Sequence, residues 1–149
     1  MKKKQEASRG VPGVSTRVES GEIDPEQTRV LLGRFVEEFV EPARREALSM
    51  LLRRSPAKQR PIDYERVLRS DRTVDATADA NLLRWLSAEG RHPYCYFLQR
   101  DARRPATRMR IATLNESLAT SWPGVFVNFD AGRAIAVTPD MQRVKCDVR

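Results

Sequence analysis

Metal-binding and redox residue types are scarce in this chain: 149 residues include one histidine, His92, and two cysteines, Cys95 and Cys146. A zinc or iron site needs several imidazole or thiolate ligands converging on one point, so neither a metal nor a cofactor is assigned. Two cysteines make no disulfide framework. We expect both as reduced thiols, packed like small hydrophobes. The seven glycines include no Gly-x-Gly-x-x-Gly and no Walker spacing, which removes the usual phosphate cradles. A Gly-x-Ser-x-Gly nucleophile elbow is also missing. No run approaches the roughly 18 apolar residues of a membrane span. The charged start Met1-Lys2-Lys3-Lys4-Gln5-Glu6 leads into no apolar stretch, so no secretory signal is expected. The expectation is a cytoplasmic protein without a membrane partner.

What is present suits one folded domain. Hydrophobic residues make up 40% and charged residues 32%, too apolar for wholesale disorder. The net charge of +7 comes from 27 basic and 20 acidic residues and could favour anionic partners. Only Lys2, Lys3, Lys4, Lys58 and Lys145 among the basic residues are lysines. GC-rich coding also produces such an arginine excess, so the charge points only faintly to nucleic acid.

Residues 1–23 read as a disordered basic arm, with Gly10, Pro12, Gly13 and Gly21 and no periodic apolar face. Residues 24–149 read as a single α+β domain, mainly helical over 24–90 and mainly strand, with one short helix, over 91–149. Asp24-Pro25 gives a capping side chain followed by proline at the first helical position. Leu32, Phe35, Val36 and Phe39 then follow at helical spacing. Pro42 restarts a helix with Ala47, Leu48, Leu51 and Leu52 on its apolar face and Arg44, Arg45, Arg53 and Arg54 around it. The two segments are oppositely charged, −4 over 21–41 and +5 over 42–60. Short helices are predicted at 62–69, with Ile62, Val67 and Leu68 inward, and at 78–89, with Leu82, Leu83 and Leu86 inward, Trp85 adding bulk and Gly90 as the stop. Tyr94–Leu98, Met109 with Ile111, Val125–Phe129, Ile135–Val137 and Val144–Val148 read as strands, with a hairpin turn at Asp130-Ala131-Gly132. Thr113 with Glu116 has capping-box spacing and opens the short helix. The fold expected is N-terminal helices packed on one face of a small, mainly antiparallel sheet of about four to five strands.

The run Phe35-Val36-Glu37-Glu38-Phe39-Val40, leading into Arg44-Arg45-Glu46, is similar to a group of short bacterial proteins to which no activity attaches. So is Pro123-Gly124-Val125-Phe126-Val127, following a small helix and closing with two strands. The resemblance covers about residues 35–149 and implies a shared fold. Where that pattern is rich in tyrosine, the late hairpin here has Ala134, Ile135 and Ala136, so a site at those positions would be lost.

Candidate chemistry is sparse. Cys95 with His92 is the one cysteine–imidazole pair to weigh as a catalytic site. Cys146 shares a strand face with Val144 and Val148 and should be inert. Glu37, Glu38 and Glu41 fall on an exposed helical face, and capping and turn roles account for Glu116 and Asp130. Asp71, Asp75 and Asp79 are spaced by four, which helix initiation explains in part. Arg100, Arg103, Arg104, Arg108 and Arg110 stand against Asp101 alone; guanidinium forks suit phosphates. Tyr94, Tyr96 and Phe97 precede them and could stack on bases. Three readings follow: a non-enzymatic protein-interaction or regulatory module, which the lack of converging reactive groups favours; a nucleic-acid-binding protein using the basic loop and arm; and a cysteine-dependent enzyme.

Overall fold

A computed structural model describes residues 21–54, 59–69, 73–74, 79–114, 123–140 and 142–149. The first helix, α1 (Pro25–Phe39), starts where the sequence predicts: the Asp24 carboxylate accepts from the Gln27 amide at 2.8 Å, and Pro25 occupies the first turn. It stops at Val40 because Glu41 precedes a proline and is driven to extended backbone. Pro42 then opens α2 (Pro42–Arg53). This corner is clamped from below by the segment after α3 (Tyr64–Val67): Glu41 N–H donates to the Val67 carbonyl and Arg69 N–H to that of Phe39. The fourth helix, α4, spans Asp79–Leu86.

The described residues hold seven strands: β1 (Gly21–Glu22), β2 (Thr73–Val74), β3 (Tyr94–Gln99), β4 (Thr107–Arg110), β5 (Gly124–Asn128), β6 (Arg133–Val137) and β7 (Arg143–Asp147). They form one antiparallel sheet in the order β1-β4-β3-β5-β6-β7-β2. The α+β class and the five longer strands match the expectation. The two extra strands are two-residue edges, too short to leave an alternating pattern. Gly21 and Glu22 belong to the domain, paired with Arg108 and Thr107, although their composition matches the arm. Ile111 lies in a 3-10 turn, Ile111–Thr113, and the rest of the expected capping-box helix lies outside the described residues, as do Asp71 and Asp75.

Alternation sorts the strands onto two faces. Leu98, Val125, Val127, Ala134, Ala136, Val144 and Cys146 pack with Leu32, Phe35, Val36, Phe39, Leu48 and Tyr64 from α1–α3. Phe35 stacks on Phe39 at 5.7 Å and meets Tyr64 edge-on at 5.3 Å. Ala134 and Ala136 are wholly buried there, and their small side chains leave room for the helices. The opposite face is covered as well: Cys95, Phe97, Met109, Phe126, Ile135 and Val137 pack with Leu82 and Leu86 of α4 and with Ile111 and Leu114. All five β5 residues are buried, as a strand covered on both faces requires. No helix among the described residues is long and apolar enough to cross a membrane.

Candidate functional site

The sequence candidates separate into three places. The first is Cys95 and His92. Cys95 is wholly buried on the α4 face, and burial pushes its thiol up to about 12. The thiol therefore stays protonated at neutral pH, and the thiolate is the nucleophilic form. His92 is half-buried in the turn before β3; its backbone carbonyl accepts from Asn128 Nδ2 at 2.8 Å. No hydrogen bond joins the two side chains among the described residues. Cys146 lies on the other face of the sheet, three strands away on β7. The two cysteines therefore do not converge, and no cluster of three metal-ligating side chains occurs among the described residues.

The second place is the exposed end of β3 and β4. Register sets Tyr94 opposite Arg110 and Tyr96 opposite Arg108. The Arg108 guanidinium sits 4.4 Å from the Tyr94 ring centre and that of Arg110 sits 5.9 Å away, within cation–π range. Tyr96 instead leans on Phe129 at 6.1 Å, and Phe97 is buried against Phe126 at 4.7 Å. Tyr94 is the ring over which both arginines sit.

The third place is the loop between β3 and β4, which is tied down at both ends. At its start Arg100 bonds Asp63 at 2.6 Å, and the Ile62 amide donates to the Arg100 carbonyl. At its end the Ala106 amide donates to Thr28 Oγ1 of α1 at 3.0 Å, and the Ile23 amide donates to the Ala106 carbonyl. Between them Arg103 Nε and Nη2 grip the two oxygens of Asp101, each at 2.9 Å. That grip holds the Asp101 carboxyl below its ordinary range. Arg100 is thus a strut. Arg103 and Arg104 are displayed.

They are displayed over a groove of about 1030 Å³ between α1, the end of α2 and the loop. Ile23, Leu32, Val36 and Leu52 supply apolar lining. Arg29, Arg53, Arg54, Arg103 and Arg104, all exposed, bring five cations to it, against Glu22, Asp24 and Glu37. Asp24 is committed to capping α1. Among the described residues no carboxylate pairs with Arg29, Arg53 or Arg54, whereas Arg34, Arg44, Arg100, Arg103 and Arg133 all have acidic partners. Gln59 Nε2 donates to the Leu52 and Arg54 carbonyls at 3.3 and 2.9 Å, closing the C-terminus of α2 at the groove wall.

Sequence reasoning missed Arg29, Gly33 and Thr28. A signal existed: Arg29, Gly33 and Glu37 recur every four residues beside the buried stripe of α1, which puts them on one helix face. The volume is that of the larger ligand sites, and among the described residues no aromatic lines it. No protein-family model, no curated protein and no solved structure matches the chain.

Proposed function

We propose that the chain is a non-enzymatic protein-interaction module that holds a segment of another protein in the groove between α1, α2 and the β3–β4 loop. One observation carries this: an apolar floor ringed by arginines from three separate elements, three of them without a carboxylate partner among the described residues. Protein surfaces use this combination of an apolar centre and a polar rim, with arginine enriched. A phosphate backbone would gain nothing from Leu32, Val36 and Leu52, and bases would find no ring to stack on. A cytoplasmic setting suits the two buried cysteines, Cys95 and Cys146.

A second reading, nucleic-acid binding, is favoured by Tyr94 between Arg108 and Arg110. It needs an affinity that falls steeply with salt.

A photo-reactive residue placed at Ser49, in the groove, and separately at Asn81, exposed on α4, distinguishes the two in the living host. The expected result is a protease-sensitive adduct from Ser49 alone, lost in an Arg53→Glu/Arg104→Glu double variant. Nuclease-sensitive adducts, or equal adducts from both positions, would overturn the proposal.

A further inference from the structure

The groove's walls constrain what fills it. Most of the lining comes from α1, α2 and the loop; among the described residues the single one from a strand is Glu22 of the two-residue β1. Backbone groups inside α1 and α2 are paired within their own helices. An extended peptide would lie on the apolar floor with its own N–H and C=O groups unpaired, which is costly, because β1 is too short an edge for strand addition. A helix brings its backbone hydrogen bonds with it.

Gly33 gives the second indication. It sits in the middle of α1 on the groove-lining side, where glycine is among the worst helix formers, and nothing lies within 4 Å of the point a Cβ would occupy. The chain's own packing does not call for glycine there. A bare backbone lets a second helix approach α1 closely, toward the short end of the 8–10 Å range of helix axes. Charge supplies the third: the guanidiniums of Arg29, Arg53 and Arg54, without a carboxylate partner among the described residues, and that of Arg104, which lines the same groove, complement carboxylates. They would repel a basic segment.

Resting on the groove reading above, we infer that the occupant is an acidic amphipathic helix of a partner protein, crossing α1 at Gly33. Its apolar stripe meets Leu32, Val36 and Leu52, and its carboxylates meet Arg29, Arg53 and Arg104.

The test is fluorescence anisotropy on the full chain with labelled synthetic peptides of about 14 residues, some four turns. One carries Leu at helical spacing with Glu between; one has the same composition interrupted by proline; one has Lys for every Glu. The Glu helix should bind, and the Lys helix should not. Arg53→Glu/Arg104→Glu should weaken the Glu helix at least about tenfold and admit the Lys helix. Gly33→Leu should weaken it as much while thermal melting shows the fold intact, and Gly33→Ala should weaken it less. Equal binding of the proline-interrupted peptide, lost in the arginine double variant, would overturn the helix and leave the groove reading standing. Binding unaffected by either the double variant or Gly33→Leu would overturn both. Failure of every peptide would overturn the acidic helix, while the Ser49 adduct decides the groove independently.

Discussion

Two glycines in this chain answer to opposite forces. Gly33 faces open space, so Gly33→Ala removes only the entropic penalty of a helical glycine and should raise stability by about 0.5–1 kcal/mol in urea unfolding. At Gly124 a Cβ would come 2.6 Å from the Leu98 carbonyl oxygen and 2.7 Å from the Phe97 ring. Gly124→Ala should therefore cost about 1–3 kcal/mol by overpacking. Asn128 is a third case. Buried at the end of β5, it donates to the Leu86 and His92 carbonyls, both at 2.8 Å, and accepts from the Ala131 amide at 3.2 Å. One side chain thus joins the hairpin turn to the end of α4 and the approach to β3. Asn128→Ala should cost about 2–4 kcal/mol by leaving buried carbonyls unpaired, measured by the same unfolding. The roles of Gly124 and Asn128 are not legible locally: they depend on Phe97, Leu98, Leu86 and His92, tens of residues away, whereas the cap at Asp24 is written within four residues.

Among the elements, α3 is the least conspicuous in sequence and among the best anchored. Tyr64 O–H donates to the Gln99 carbonyl at 2.7 Å, and Asp63 holds Arg100, so this one turn fixes the start of the arginine loop. The apolar pattern placed Ile62, Val67 and Leu68 inward but overlooked Tyr64, whose hydroxyl makes it look like a surface residue until its partner is known. Burial raises the Tyr64 phenol well above its usual range and the Cys95 thiol from 9.0 to about 12. A group whose folded pKa is raised contributes stability that is intact below the unfolded value and drains away as pH climbs toward the folded one. Stability should therefore fall between about pH 9 and 12, followed by circular dichroism in urea at each pH. Tyr64→Phe should lose about 1 kcal/mol at neutral pH with its hydrogen bond and show a shallower alkaline fall. Cys95, for the same reason, should react with a thiol reagent only as fast as the protein opens.

At the scale of the whole molecule, helices seal both faces of the sheet. The sequence pattern predicts helices on one face, because the alternating residues of β5, β6 and β7 imply a single buried side. The second layer came from the other parity: Phe97, Phe126 and Ile135 are apolar too, and they need α4. The arginines behaved similarly. A basic loop over 100–110 was legible as a run, but charge in sequence does not say which members pair. Arg100 went to Asp63, Arg108 and Arg110 to Tyr94, and the groove instead recruited Arg29, Arg53 and Arg54 from α1 and α2. That convergence is tertiary and has no signature along the chain. The groove is where we expect recognition to occur, and nuclear magnetic resonance locates it directly. ¹⁵N-labelled protein is titrated with the acidic amphipathic peptide and, separately, with a single-stranded oligonucleotide at low salt. Amide shifts confined to residues 22–37, 49–54 and 102–105, and produced by the peptide, are the expected result. Shifts centred on Tyr94, Arg108 and Arg110, or produced by the oligonucleotide alone, would contradict it.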